Sequence, residues 1–271
     1  MAHHSEVVLI TGGASGLGKA TGQYLASRGY RVYGTARSPE KYPGFDLFPL
    51  LQMDVRQSSS VEAAIAELIG REGRVDILIN NAGVGITGPI EETPGEAVGD
   101  AFETNFHGPL RVIRAVLPHM RQHRKGFILN ITSVAGYMGL PYRGFYSASK
   151  GALGIITEAY RMEIREFGIR MANLAPGDFA TNIAAGRYHC PMLQGSPYRE
   201  PYGRTLDLMD QHVASGKDPV VLARKVYQIL QQRHPKVHYT AGSFLQRLSL
   251  VLKKILPDKI YERLLLNHYK L

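Results

Sequence analysis

A tyrosine and a lysine, Tyr146 and Lys150, stand four residues apart in a segment with helical periodicity. Residues at this spacing share one face of a helix, so their side chains can act together. A tyrosine with a pKa of about 10 is a weak acid or base at neutral pH, and a neighbouring ammonium lowers that pKa by favouring the phenolate. Ser133 precedes the tyrosine by thirteen residues, and its hydroxyl can donate to a substrate oxygen. The three residues therefore predict general acid-base chemistry at a substrate oxygen.

A glycine-rich turn lies between an apolar run and a helical pattern, and it reads T-G-G-A-S-G-L-G over residues 11–18. Glycine lets the backbone turn sharply and lets phosphate oxygens approach N–H groups at a helix N-terminus. The spacing G-x-x-x-G-x-G after a strand favours a dinucleotide-binding turn over a purely structural one. A second small-residue segment, Asn80-Asn81-Ala82-Gly83, follows a later apolar run, where the backbone can approach the same ligand.

The second apolar run ends in Ala36-Arg37, at a position where an NAD-specific site usually carries a carboxylate. A carboxylate would repel a 2′-phosphate, whereas an arginine can pair with it through two hydrogen bonds. Arg37 therefore favours NADP(H) over NAD(H). The alternative is that Arg37 is an ordinary solvated surface arginine.

The elements that must position these residues follow from the alternation of short apolar runs and longer helical patterns. This alternation predicts βαβ units in one α/β domain over residues 1–271, with a Rossmann-type, doubly wound parallel sheet of about seven strands and helices on both faces. The predicted strands are Val7–Thr11, Arg31–Ala36, Leu47–Asp54, Val75–Asn80, Phe127–Ile131, Arg170–Ala175 and Lys236–Thr240. The predicted helices are Gly16–Arg28, Ser59–Glu72, Gly95–Gln122 and Tyr146–Phe167.

Residues 178–217 differ from the rest because they are rich in proline and glycine, and only the stretch near Thr205–Val213 has helical character. A long irregular insertion in a compact domain is usually a lid or a binding loop. We therefore expect this segment to cover the substrate.

In this combination and order, the motifs resemble those of the classical short-chain dehydrogenase/reductase family, over residues 6 to about 181. The resemblance implies hydride transfer between a nicotinamide cofactor and a carbonyl or alcohol carbon, with no metal ion. It makes Ser133, Tyr146 and Lys150 catalytic, and makes Asn105 the residue that holds a water in the proton relay. The residues expected to bind the cofactor are Gly12, Ser15, Gly16, Leu17, Gly18, Arg37, Asp54, Val55, Asn81, Ala82, Gly83, Tyr146, Lys150, Pro176, Gly177 and Thr181.

One position departs from the commonest pattern of that family. The residue before Gly16 is Ser15 rather than a basic residue. The preference for NADP(H) then depends on Arg37, with help from Thr35 or Ser38.

The composition excludes several classes of protein. The single cysteine, Cys190, rules out an internal disulfide, and no apolar run is long enough to span a bilayer. The first residues lack the pattern of a signal peptide, so a cytoplasmic location is expected. The net charge of +9 is uneven, because ten Lys and Arg residues after position 218 face only Asp258 and Glu262, which places +8 in that segment. Nucleic-acid binding is not expected, since these charges are interleaved with leucines and no recognition motif is present.

The residues around the expected site are mainly apolar and aromatic, which favours a hydrophobic substrate. The alternative is that half of them are core residues or subunit contacts. They are Val84, Ile86, Tyr137, Met138, Leu140, Tyr142, Phe145 and Phe179, with Tyr188, Met192, Leu193, Tyr198 and Tyr202 from the insertion. The region from Pro235 to Leu271 resembles the tails of bacterial relatives of 17β-hydroxysteroid and retinol dehydrogenases, which implies a steroid-, retinoid- or lipid-like substrate.

Residues 242–271 form a predicted pair of basic amphipathic helices separated by Pro257. Apolar residues recur there at helical spacing with basic residues between them, as in Phe244, Leu248, Val251 and Ile255. Three interpretations remain open: packing on their own domain, peripheral contact with an anionic membrane, and contact with another subunit. A homodimer or homotetramer is what the family resemblance implies.

Two other functions are alternatives to the predicted oxidoreductase with a hydrophobic substrate. The basic tail could attract an acidic substrate, which would make the enzyme a reductase of a carrier- or CoA-linked acyl or ketone group. A non-catalytic NADP-binding regulatory protein is the alternative from a different class. The presence of Asn105, Ser133, Tyr146 and Lys150 together favours an enzyme.

Overall fold

The strands of this computed structural model, which describes residues 6–180, 186–214 and 216–271, are short and nearly all buried. They are β1 Val7–Ile10, β2 Arg31–Ala36, β3 Leu50–Gln52, β4 Ile77–Asn80, β5 Ile86–Thr87, β6 Gly126–Ile131, β7 Ile169–Pro176, β8 Tyr188–His189 and β9 His238–Ala241. Within the described residues, seven of them form one parallel sheet in the order β3-β2-β1-β4-β6-β7-β9, and β5 pairs with β8 in a separate parallel ladder. The prediction of a doubly wound parallel sheet is confirmed.

Helices cover both faces of this sheet. They are α1 Gly16–Ala26, α2 Ser58–Glu72, α3 Gly95–Phe102, α4 Gly108–Gln122, α5 Gly144–Glu163, α6 Arg199–Ala214, α7 Pro219–Leu230, α8 Phe244–Ile255 and α9 Asp258–Tyr269. Alternate residues of β1 point to opposite faces, so Val7 and Leu9 pack in the cluster of α2 and α4, whereas Val8 and Ile10 pack in the cluster of α1 and α7. Burial on both faces explains why the strands are apolar throughout.

The strand order reverses at β1, because β2 and β3 lie on one side of it and β4 lies on the other. In such a sheet the loops after the two central strands diverge and leave a crevice at their carboxyl ends. The loops after β1, β4, β6 and β7 therefore open at one edge of the sheet. These loops carry most of the residues that the sequence marks as functional.

Some predicted boundaries are wrong for identifiable reasons. The predicted strand Leu47–Asp54 shortens to β3, and its later start follows from Pro49, which has no N–H for the ladder. The predicted helix Gly95–Gln122 is divided by a π-helical turn at Glu103–His107, and α4 restarts there with Pro109 in its first turn. Helix α7 was not predicted at all, although Asp218 caps it and Pro219 begins it.

The insertion at residues 178–217 is more regular than predicted. Helix α6 begins at Arg199, six residues before the predicted helical stretch. The hydroxyl of buried Tyr202 donates to the Thr87 carbonyl oxygen at 3.0 Å and so ties α6 to β5. Each helix of the described chain is too short or too polar to cross a membrane.

Candidate active site

A cleft of about 640 Å³ opens at the edge of the sheet where the strand order reverses. Its walls include the glycine turn after β1, the end of β2, the segment after β3, the loop after β4, and α5. The predicted cofactor residues on these walls are Gly12, Ser15, Gly16, Leu17, Arg37, Asp54, Val55, Asn81, Ala82, Gly83, Tyr146, Lys150 and Pro176. Most of the set proposed from sequence is therefore brought together around one cavity.

The turn after β1 is held in place by hydrogen bonds to the loop after β4. Gly12 and Gly16 have φ values of +65° and +51°, a region that side-chain-bearing residues rarely adopt. The Asn81 amide donates to the carbonyl oxygens of Thr11 and Gly12 at 3.0 and 3.1 Å. The Thr11 hydroxyl oxygen accepts from the backbone N–H groups of Asn81 and Ala82, both at 3.0 Å. This network fixes the turn beneath the N-terminus of α1, which suits the turn to a diphosphate.

Two described residues of the predicted cofactor set, Gly18 and Gly177, are not on the cleft walls. A Cβ at Gly18 would overlap the Gly12 carbonyl oxygen, so this glycine permits close packing of α1 on the turn. A Cβ at Gly177 would overlap the Gln246 side chain, so this glycine seats the first turn of α8. Thr181 lies outside the described residues. Contact of Gly18 and Gly177 with the cofactor stays a prediction.

The end of the cleft beside β2 is rich in positive charge. Arg37 is exposed on its wall, and Lys41 and Arg56, which the sequence analysis did not select, line the same wall. The Arg56 guanidinium donates to Asp54 at 2.9 Å, and this bond lowers the pKa of the Asp54 carboxyl. Asp54 is the one carboxylate among the described residues of this wall, and its pairing with Arg56 leaves Arg37 and Lys41 to act on a ligand.

The inner end of the cleft holds the tyrosine and lysine of α5. Tyr146 is buried and lines the cleft, with the Arg143 guanidinium 5.3 Å from the centre of its ring. The Lys150 ammonium donates to the Ile131 carbonyl oxygen at 3.0 Å, and burial lowers its pKa from 10.5 to about 8. A Cβ built on Gly83 would lie 3.1 Å from Lys150 Nζ, so glycine leaves room for the ammonium there.

Ser133 lies behind this point, at the end of β6. It lines a smaller cavity of about 130 Å³, which shares Thr132 and Lys150 with the main cleft. The Ser133 hydroxyl oxygen accepts from the Ala135 backbone N–H at 3.2 Å. This bond orients the hydroxyl without using its hydrogen, which can still be donated to a substrate oxygen.

Asn105 is fully buried in the π-helical turn between α3 and α4. Its side-chain oxygen accepts from the Val84 N–H at 2.8 Å, and its amide donates to the Val84 carbonyl oxygen at 2.9 Å and to Ser149 Oγ at 3.2 Å. Asn105 therefore joins the loop after β4 to α5, and the π-helical turn directs it inward. Its role in holding a water stays a prediction.

Seven of the thirteen predicted substrate residues fall into two groups in the structure. Five of them, Val84, Ile86, Leu140, Phe145 and Tyr188, pack in one apolar cluster with Tyr146. By contrast, Phe179 belongs to the core beneath α7, and Tyr202, a residue of α6, has a buried side chain. The alternative that part of the set is core is therefore correct for those two residues and for Ile86, which is also buried.

Sequence reasoning missed a polar chain beside the smaller cavity. The Tyr137 hydroxyl lies 3.0 Å from His238 Nδ1, and His238 Nε2 lies 2.9 Å from the Glu158 carboxylate. Both His238 and Tyr137 line the cavity that contains Ser133. No local signal could have revealed this chain, because its members are about 20 to 100 residues apart and only the fold joins them.

Comparisons with known proteins agree with this geometry. The family model described as short chain dehydrogenase matches residues 6–189. A 3-ketodihydrosphingosine reductase from Bacteroides thetaiotaomicron is 38% identical over 258 residues, which cover 95% of this chain and 95% of that protein. A dehydrogenase/reductase SDR family member 7B from Danio rerio is 31% identical over 246 residues, which cover 86% of this chain and 76% of that protein. The crystal structure of a short-chain dehydrogenase from Streptomyces avermitilis matches with a TM-score of 0.80 at 30% identity and covers 98% of this chain and 97% of its own.

Proposed function

Because this chain belongs to the short-chain dehydrogenase family of oxidoreductases, we propose that it transfers a hydride between NADP(H) and the carbonyl or secondary alcohol carbon of a hydrophobic, lipid-like substrate. The observation that carries the proposal is the meeting of Tyr146 and Lys150 at the inner end of the cleft, with Ser133 behind them. Glycines 12, 16 and 83 leave the space that a dinucleotide needs, and the basic wall by β2 suits a phosphate.

In the reducing direction, the Tyr146 phenol donates its proton to the carbonyl oxygen, and in the oxidising direction the phenolate accepts it from the alcohol. Ser133 donates a hydrogen bond to the same oxygen and so positions it. With a pKa of about 8, Lys150 is largely an ammonium at neutral pH. Its positive charge lies at the inner end of the cleft, where it stabilises the negative charge that develops on oxygen during the transfer.

The preference for NADP(H) rests on the wall beside β2. Ala36 ends that strand with a methyl group where an NAD enzyme would place a carboxylate, and Arg37 and Lys41 present cations beside it. Asp54 is already bound by Arg56, so its charge opposes a 2′-phosphate less. Guanidinium groups bind phosphate through charge-assisted hydrogen bonds.

The substrate class rests on the apolar cluster around Tyr146 and on the relative from Bacteroides thetaiotaomicron, whose name states that it reduces a keto group on a sphingoid base. A ketone carried on a long aliphatic chain would place that chain against Val84, Leu140, Phe145 and Tyr188. Steroid and retinoid carbonyls share this apolar character and remain in the same proposal. A homodimer or homotetramer and a cytoplasmic location complete it.

The test is a panel of carbonyl compounds with NADPH and then with NADH, followed by the absorbance of the reduced nicotinamide. The panel contains a long-chain 3-keto sphingoid base, a steroid ketone, retinal and a short aliphatic ketone, with the Tyr146→Phe protein as control. We expect the highest kcat/KM for a long-chain ketone with NADPH. Turnover confined to short, polar carbonyls would overturn the substrate class. Tight NADPH binding without any turnover would instead identify a non-catalytic NADP-binding protein.

A second candidate is a reductase of a carrier- or CoA-linked ketone. The observation in its favour is the net charge of +9, of which most lies after residue 218. Such a charge would attract an acidic carrier. A CoA-linked 3-ketone added to the same panel separates the two candidates, because only this second candidate requires it to be the preferred substrate.

A further inference from the structure

The last two helices, α8 and α9, turn apolar side chains toward solvent rather than toward the domain. Helix α8 is well started, because the Ser243 hydroxyl oxygen accepts from the Gln246 N–H at 3.2 Å and the Gln246 side-chain oxygen accepts from the Ser243 N–H at 3.0 Å. The Gln246 amide also donates to Asp178 at 2.6 Å and anchors this first turn. Yet every residue of α8 keeps part of its surface exposed.

Three of the four exposed apolar residues of α8 form a stripe, and the fourth, Leu245, lies about 100° around the helix from Phe244. Phe244, Val251 and Ile255 expose 68%, 52% and 68% of their surface. At about 100° per residue, these three side chains point within about 40° of one another. Arg247 and Lys254 are exposed along one edge of this stripe. The apolar stripe of α8 therefore faces solvent, whereas the apolar face of a core helix faces the interior of its domain.

Helix α9 repeats the arrangement. Its inner face is fixed by Tyr261 and Tyr269, which are both buried, and the Tyr261 hydroxyl contacts the Met138 sulfur at 2.8 Å. Ile260 and Leu264, one turn apart, expose 52% and 46% of their surface, and Arg263 is exposed beside them. Together, α8 and α9 are called the tail helices below.

The charge of the tail helices is positive. Residues 242–271 contain six Lys and Arg residues and two carboxylates, Asp258 and Glu262. Asp258 is bound by Lys253 at 2.9 Å. The exposed cations along the apolar residues are Arg247, Lys254, Lys259 and Arg263. An apolar stripe with basic edges is the arrangement by which helices lie in the surface of an anionic bilayer.

We propose that the tail helices dock this protein on the surface of an anionic lipid bilayer. The apolar residues enter the boundary between headgroups and acyl chains, and the cations contact lipid phosphates. A second copy of the chain fits this face less well, because two such faces would bring like charges together. The complementary charge of the bilayer is what selects it as the occupant.

Docking in this orientation would also place the site near the bilayer. The inner face of α9 contacts Met138 through Tyr261. Met138 lies directly after the turn that follows Ser133. A lipid-like substrate would then reach the cleft from the membrane to which it partitions. The docking itself does not depend on the proposed substrate, so the two can fail separately.

The test measures co-sedimentation of the full chain with large vesicles, either of phosphatidylcholine alone or of phosphatidylcholine with phosphatidylglycerol. We expect binding to the anionic vesicles that weakens as salt is raised. Each juxtamembrane cation contributes about a fivefold gain in partitioning, so Lys254→Gln with Arg263→Gln should weaken binding about thirtyfold. Phe244→Ser with Ile255→Ser should also weaken binding to the anionic vesicles, because it removes the apolar contact with the bilayer.

Two matched controls keep the result specific. Arg165→Gln with Arg199→Gln removes the same charge from exposed positions outside the tail helices, and Ile155→Ser with Met162→Ser removes exposed apolar side chains outside them. Both controls should bind vesicles like the natural chain. The proposal is overturned by absence of vesicle binding, by equal losses in variants and controls, or by self-association that depends on Phe244 and Ile255 without vesicle binding.

Discussion

At the scale of single residues, the phenolic hydroxyl of Tyr146 carries the proposed proton transfer. Tyr146→Phe keeps the buried ring and removes the proton, so kcat should fall roughly a hundredfold or more. The dissociation constant for NADPH should change little, because the hydroxyl is one contact among many. Steady-state kinetics and a fluorescence titration of NADPH on the same preparation check both halves. Turnover close to that of the natural chain in the folded variant would contradict the assignment.

Burial of the Lys150 ammonium lowers the free energy of unfolding, and the pH dependence of that free energy should show this penalty. Its pKa is about 8 in the folded chain against 10.5 for an exposed lysine. The penalty is therefore fully present below pH 8, and the free energy of unfolding rises as pH increases from about 8 to about 10. Lys150→Met should raise the free energy of unfolding at pH 7 by up to about 3 kcal/mol and abolish that rise.

Chemical denaturation of Lys150→Met at pH 7 and at pH 10, with NADPH absent, measures this effect. The matched control is Lys236→Met, which alters an exposed lysine and should leave stability nearly unchanged at both pH values. A Lys150→Met protein less stable than the natural chain at pH 7 would show that the Ile131 hydrogen bond outweighs burial.

Arg37 should set the choice between NADPH and NADH. A charge-assisted hydrogen bond to a 2′-phosphate is worth roughly 1.5–3 kcal/mol, which is about ten- to a hundredfold in affinity. Ala36→Asp with Arg37→Ile should reverse the preference, because the carboxylate repels the phosphate and accepts from ribose hydroxyls. Arg37→Ala alone should lower it only in part, since Lys41 lines the same wall. The measurement is kcat/KM with each cofactor at fixed salt. A ratio of unity or less in the natural chain would leave Arg37 as a surface arginine.

Most site residues could be predicted because each motif is local. The glycine turn, Asn81 and the Tyr146–Lys150 pair are spaced by the element that contains them, so the spacing survives without knowledge of the fold. Arg56 and His238 are not predicted, because their contacts with Asp54 and Tyr137 are visible only once side chains are placed. A Cβ at Gly18 would overlap the backbone of its own turn, so this glycine has a packing role that the motif alone does not reveal.

At the scale of elements, a hydrogen bond from α6 joins the insertion to β5. The Tyr202 hydroxyl reaches the Thr87 carbonyl oxygen, and removing it should cost about 1 kcal/mol of local stability. Tyr202→Phe should therefore speed hydrogen exchange in residues 186–211 and raise KM for the substrate. Tyr198→Phe is the matched control, because that hydroxyl bonds to Glu91 at the exposed surface. Equal exchange in the two variants would show that the hydroxyl does not hold α6.

Elements with a strong local period were predictable, and those shaped by tertiary contact were not. The sheet strands follow from apolar runs, and α5 follows from its period. The π-helical turn in the middle of the predicted helix Gly95–Gln122 leaves no mark in the period, because Asn105 turns inward to bond with the loop after β4. Helix α7 does have a local start signal in the sequence, because Asp218 is a capping residue and Pro219 follows it.

At the scale of the whole molecule, the uneven charge should affect which substrates arrive fastest. Salt shortens the reach of surface charges from about 10 Å at 0.1 M to about 3 Å at 1 M. For a CoA-linked test ketone, kcat/KM should fall several-fold over that range, because the positive segment after residue 218 steers anions. For a neutral ketone of equal chain length it should stay nearly constant. Parallel salt profiles for the two substrates would contradict steering.

The tail illustrates what a single sequence leaves open at this scale. Its amphipathic period was readable, but the period does not say which side of a helix faces the domain. In the folded chain only two tyrosines of α9 are buried within the tail helices, and Leu245, Val251 and Ile255 of α8 are exposed. The anchoring contact of Gln246 with Asp178 joins residues 68 positions apart, beyond the reach of local patterns.

The small ladder of β5 and β8 has a consequence for the order of folding. It joins residues 86 and 87 to residues 188 and 189, so its ends meet only after about a hundred intervening residues have been arranged. Contacts of such long sequence separation form late and contribute little until the main sheet exists. The ladder, with the insertion that it attaches to β5, is then the last part of the chain to fold and among the first to open. On gradual addition of denaturant, enzymatic activity should disappear while the helical circular dichroism signal is still that of the native chain.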